Sequence, residues 1–103
     1  MIRRKIGFTP MAERQINALH AYISANANEE RANGYVARIT SFCNSLSVLP
    51  MRGMKRDDIM QGLRVIGFER HVTMAFVVMA DVVVIEGIFY GGRDFAAVLQ
   101  TKI

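Results

Sequence analysis

Apolar and polar positions alternate along this chain with two different periods, first helical and then extended. Ala12, Ile16, Leu19 and Ile23 recur at the spacing of one helix face. Thr9-Pro10 marks where that helix starts, since a threonine hydroxyl can cap free amides and proline suits the first helical position. Residues 3–8 ahead of it predict a short strand. The helical pattern runs out in the polar segment around Asn26 to Asn28. A second helix begins at Asn28-Glu29-Glu30, where an Asx cap and two acids complement the amino-terminal dipole. Its stripe is Tyr35, Ile39, Phe42, Leu46 and Leu49, and Pro50 stops it. The short connection folds the two helices into an antiparallel hairpin.

Beyond Pro50 the period changes. Residues 51–62 read as a loop with at most one short turn. Three strands follow at 63–69, 72–79 and 82–90, with turns at Arg70-His71 and Ala80-Asp81, which makes an antiparallel meander. Gly91-Gly92 ends it, and Asp94 caps a final helical turn through Phe95 and Leu99. The predicted fold class is therefore α+β, in the order β-α-α-β-β-β, with the helical hairpin packed on one face of a small antiparallel sheet.

The strands do not alternate cleanly between apolar and polar. Val72, Met74, Phe76 and Val78 point one way, and Ala75, Val77 and Met79 the other. In the last strand Val82, Val84 and Ile88 oppose Val83, Ile85 and Phe89. Both faces call for burial, whereas one hairpin covers one face. The pattern predicts an apolar surface that a partner chain masks. The competing expectation is that the loop and the tail fold over it. If Leu63 and Val65 face the hairpin, Arg64, Ile66 and Phe68 lie on the open face. There Arg64 would pair either with an acidic partner side chain or with Glu86.

Composition narrows the function classes. At 103 residues the chain is one domain, 1–103, and its 51% hydrophobic content is that of a folding chain. Thirteen Lys and Arg against nine Asp and Glu leave a formal charge of +4, which favours an acidic partner or nucleic acid only mildly. Cys43 is the single cysteine, and His20 and His71 stand far apart, so no disulfide and no zinc site is expected. No cofactor is called for. The longest apolar run, 74–85, is broken by Asp81 and too short for a bilayer. A reducing, cytoplasmic setting without membrane contact is the natural expectation.

Two stretches carry a family likeness. LPMRGMKRDDIMQGLRV (49–65) is similar to a Pro-x-x-Gly loop leading into a Gly-Leu-Arg strand, and IFYGGRDFAAVL (88–99) resembles a closing Gly-x-Arg-Asp segment with an apolar tail. In this order and spacing, and over nearly the whole chain, they resemble the ParE/RelE superfamily of toxins. The resemblance implies a growth-inhibiting toxin of the plasmid-stabilising kind, bound in a hetero-oligomer by a cognate antitoxin. Arg64, Ile66, Phe68, Arg93 and Phe95 are the residues it nominates for antitoxin binding.

The superfamily divides between messenger RNA cleavage on the ribosome (RelE-like) and DNA gyrase poisoning (ParE-like). Cleavage by 2′-hydroxyl attack needs cations around the phosphate and groups to move two protons. Lys55 or Arg56, Arg64 and Arg93 can supply the charge, and Arg64 and Arg93 match arginines of RelE-like members. The tail beyond Arg93 holds neither the Tyr nor the His-Tyr pair that RelE-like enzymes commonly carry. Tyr90 is the one residue that could stand in. His71 reads as a solvated turn residue. That absence, with the modest charge, favours the gyrase-directed branch, in which no catalytic residue is assigned. The alternatives are a ribosome-dependent endoribonuclease using Lys55, Arg64, Arg93 and Tyr90, and a non-toxic member that only forms a complex.

Overall fold

The protein is described by a computed structural model covering residues 3–91 and 94–100. Its elements run β1 (Lys5–Phe8), α1 (Pro10–Asn26), α2 (Glu29–Ser45), β2 (Met54–Lys55), β3 (Leu63–Phe68), β4 (Val72–Val78), β5 (Val82–Tyr90) and α3 (Phe95–Gln100). Both helix caps are the expected ones. Thr9 accepts from the Ala12 amide and Asn28 from the Arg31 amide, each satisfying a donor that the helix itself cannot.

The α+β order and the hairpin on one face stand, but the sheet has five strands and is mixed, in the order β1-β5-β4-β3-β2. The β3–β4–β5 meander is antiparallel, whereas β1 runs parallel to β5, with Lys5 opposite Val82 and Phe8 opposite Ile85. A parallel neighbour needs a long crossover, and everything between the two strands provides it. The expected loop after Pro50 also contains β2, with Met54 opposite Val65 and Lys55 opposite Arg64. Gly53 makes this possible. Its φ is +80°, and a Cβ there would stand 2.5 Å from the Val65 carbonyl oxygen.

The second helix ends earlier than its stripe suggests. Leu46 and Ser47 donate back to Cys43 and Asn44, so the last turn tightens and rotates the following residues off the apolar face. Leu49 is consequently 63% exposed rather than a core residue.

Two apolar layers flank the sheet. Ile39, Leu46, Met74, Phe76, Val83 and Ile85 are buried under the hairpin. On the far face, Leu63, Ala75 and Phe89 are buried beneath Leu99 of α3 and Ile59 of the preceding turn. The expectation of an uncovered second face is therefore corrected, because one short helix and one turn suffice to seal its centre. The assignment of faces changes too. Leu63 and Val65 lie on the far face, so Arg64, Ile66 and Phe68 face the hairpin side.

A bulge accounts for the other departure. Ala75 opposes Gly87 while Phe76 opposes Ile85, which leaves Glu86 as an extra residue in β5. It reverses the side-chain phase, placing Ile88 with Val83 and Ile85 under the hairpin and Phe89 on the far face. Gly87 shares the far face with Phe89, and a Cβ there would meet the Phe89 ring at 2.5 Å. Among the described residues no helix is long and apolar enough to cross a membrane.

Candidate functional site

The candidate residues separate into two groups at opposite ends of the sheet. At one end the β2–β3 register sets Lys55 beside Arg64. Arg64 reaches the Arg52 carbonyl at 3.4 Å, and Arg52 lies over the Phe42 ring at 4.9 Å and donates to the Ser45 hydroxyl at 3.1 Å. Lys55, Arg64 and Arg52 form a cationic corner at the carboxyl end of α2, where positive charge complements the helix dipole. Arg56 does not join it. It is bound to Asp58 at 2.9 Å and stacks at 5.6 Å on Phe95, on the far face, and this pairing holds the Asp58 carboxyl below the usual carboxylate range. Asp57 is engaged as well, accepting from the Gly62 amide at 2.8 Å. Leu49, Met51 and Met54 are exposed around the corner.

At the other end stand all three tyrosines of the chain. Tyr90, the last residue of β5, meets Tyr22 at 6.0 Å, Tyr35 edge-on at 6.3 Å and the His71 ring at 5.9 Å. The antiparallel hairpin explains this convergence, since Tyr22 and Tyr35 flank the α1–α2 turn and return to the same end. Arg38 lies over the Tyr35 ring at 5.0 Å and grips Glu69 through two hydrogen bonds, at 2.7 and 3.2 Å. The Tyr35 hydroxyl oxygen is buried without a hydrogen-bond partner, and burial, with Glu69 and Tyr90 nearby, pushes its pKa up. Around this cluster lies a cavity of about 680 Å³ lined by Asn28, Arg31, Tyr35, His71 and Tyr90, among others. Tyr90 also lines a second cavity of about 450 Å³, which runs beside α1 past Tyr22, Ala18, Gln15 and Arg14.

Tyr90 is thus remote from the cationic corner. Arg64 pairs with Phe76 and Tyr90 with Val72, four residues further along β4, or about 13 Å of strand, with two strand spacings between them. The side chains also diverge, since Arg64 turns to Arg52 and Tyr90 to Tyr22 and His71. His20, the other histidine, bonds Asn33 at 2.7 Å between the helices.

The residues nominated for antitoxin binding do not form one surface. Arg64, Ile66 and Phe68 share the hairpin side of β3, where Phe68 packs on Phe42 at 5.2 Å and Tyr35 at 6.4 Å. Phe95 lies on the far face against Phe89 at 6.2 Å, and Arg93 falls outside the described residues. Cys43 is sealed beneath α2, where burial pushes its thiol up to about 12, so it stays protonated and unreactive. Among the described residues no three His, Cys, Asp or Glu side chains converge on a metal position.

The tyrosine cluster and Gln15 escape a sequence reading. Tyr35 is indistinguishable from its neighbours on the core stripe. Nothing local marks Gln15 as the residue whose amide oxygen takes the Ile88 amide proton, 73 positions away at 2.7 Å.

Residues 6–95 match the family model described as the ParE toxin of the type II toxin–antitoxin system parDE. No curated protein sequence matches. Among solved structures, a chain of the chromosomal ParDE toxin–antitoxin system of P. aeruginosa superposes with a TM-score of 0.74 at 20% identity, over 86% of this chain and 97% of that one. A chain of the RelBE2 toxin–antitoxin complex of Mycobacterium tuberculosis gives 0.60 at 17% identity, over 86% and 99%.

Proposed function

Since the chain belongs to the ParE family of type II toxins, we propose that it arrests growth by binding DNA gyrase in the cytoplasm and is silenced in a complex with a cognate antitoxin. The observation that carries the gyrase reading is the distance between charge and proton-transfer chemistry. The cationic corner of Lys55, Arg64 and Arg52 could hold a phosphate, but RNA cleavage there also needs a group to accept one proton and another to donate one. Every histidine and tyrosine of the chain lies away from it, and the nearby acids Asp57 and Asp58 are committed to Gly62 and Arg56. A toxin that acts by binding needs no such constellation.

The test is supercoiling of relaxed plasmid by purified gyrase, with the folded protein added and then with antitoxin restored. Dose-dependent inhibition or trapped cleaved DNA, relieved by the antitoxin, is the expected result. Unimpaired supercoiling together with messenger RNA cleavage on ribosomes would replace this reading with the endoribonuclease one. Lys55, Arg64 and Arg93 would then be the catalytic candidates. A folded sample inert in both assays would leave a member that only forms complexes.

A further inference from the structure

The open stretch of the β5 edge, together with the groove beside it, is a prepared seat for an extended peptide. β1 covers β5 only from Val82 to Ile85. After Phe8 the chain leaves the sheet and turns up into α1, and the Thr9 amide and hydroxyl close the ladder on the carbonyls of Ile85 and Glu86. Ile88 then directs its amide away from β4, to the edge β1 has vacated. The Gly91 amide bonds the His71 carbonyl on the opposite side, so strand alternation turns the backbone of Tyr90 the same way as that of Ile88. In place of a neighbouring strand, this edge receives one side-chain amide, the Gln15 oxygen on the Ile88 N–H. A primary amide standing in for a peptide group marks a position where a peptide group fits.

The groove beside that edge extends the argument. Its walls are the apolar faces of Met11, Ala18, Leu19 and Tyr22, and Arg14 is its only charged side chain. Past Tyr90 it continues into the larger cavity, where Arg31 and Arg38 outnumber Glu30 and the buried Tyr35 hydroxyl has no acceptor. The complementary occupant has an extended backbone, apolar side chains and acidic groups, with a carbonyl or carboxylate to take the Tyr35 proton.

We propose that an extended acidic segment of the antitoxin docks along the edge of β5 from Ile88 to Tyr90, displacing Gln15 from the Ile88 amide and ending at Tyr35. This rests on the antitoxin reading given above. Strand addition supplies affinity through the backbone, and the pockets supply selectivity.

The test compares wild type, Ala18→Trp, which fills the groove from an exposed helical position, and Asn17→Trp, which places the same ring on a face of α1 outside it. Affinity for the full-length cognate antitoxin is measured by calorimetry, and amide hydrogen exchange is followed in the free chain and the purified complex. Ala18→Trp should bind about 30-fold more weakly or worse, as expected for loss of a central anchor pocket. Asn17→Trp should bind like wild type, with both variants melting as wild type does. Ile88 and Tyr90 amides should gain protection in the complex. Antitoxin that binds all three chains equally, with no new protection at Ile88 and Tyr90, would overturn the docking site and leave the toxin–antitoxin reading intact. Antitoxin that fails to bind even wild type would remove both.

Discussion

The two faces of the sheet are built from the same strands but sealed in different ways. The hairpin face is covered by two 17-residue helices and buries Ile39, Leu46, Met74, Phe76 and Ile85 in one continuous layer. The far face is closed by six residues of α3 and one turn, and only Leu99 and Ile59 reach full burial against Leu63, Ala75 and Phe89. At its margins Met54 and Met79 remain exposed. A helix pair lays a broad stripe across several strands, whereas one short helix plugs the centre and leaves the rim open. The contrast explains how a chain with apolar residues on both strand faces closes its core in 103 residues.

If the hairpin layer carries the stability, its deletion should cost most. Phe76 is fully buried at the middle of β4, so Phe76→Ala should destabilise by about 3–5 kcal/mol, read from denaturant unfolding with an unchanged m-value. A loss under about 1 kcal/mol would show that this layer repacks freely and that the two faces do not differ as described.

Leu99→Ala probes the thinner cover. The side chain is fully buried, but its helix has six residues and an exposed outer side, so the site can partly collapse. The expected cost is about 2–3 kcal/mol, at the low end for a buried leucine. Binding of an apolar-surface dye should rise as Phe89 and Leu63 open to solvent, while far-ultraviolet circular dichroism keeps the signal of the hairpin. Dye binding that stays at the wild-type level would mean that the turn at Ile59 seals the far face without α3.

The same contrast separates what the sequence discloses from what it hides. The hairpin is legible because its signals are local: a 3.6-residue stripe, and the caps Thr9 and Asn28, whose side chains bond the amides three residues on. The strands are legible by their β-branched runs and turn residues. Their faces are not, because a single extra residue at Glu86 reverses the phase of the rest of β5, and bulges leave no apolar signature. The cover of the far face hides for a related reason, since whether a six-residue helix can seal a sheet depends on where it lands. The cationic corner was readable as separate basic residues, but the tyrosine cluster required knowing which ends of α1, α2 and β5 meet.

The smallest expected effect belongs to the rim of the hairpin layer, where Arg38 of α2 is tied to Glu69 in the β3–β4 turn. Glu69 holds a positive φ of 51°, uncommon for a residue with a side chain, so the ion pair anchors a conformation that the turn alone does not favour. The hydrogen bonds from Arg38 hold the Glu69 carboxyl below the usual carboxylate range. A depressed carboxylate pKa contributes stability that is present above the unfolded value of about 4.3 and is lost as pH falls through the folded value. Both side chains are substantially exposed, so the contribution is a small one that salt screens. Glu69→Gln should therefore melt slightly below wild type at pH 7 in low salt. The difference should shrink to nothing as pH falls below the folded pKa, where wild type also carries a neutral side chain. A melting difference that persists unchanged into acid would show that the pair holds the turn by hydrogen-bond geometry rather than by charge. The rim would then owe its order to the same packing that seals the layer beneath it.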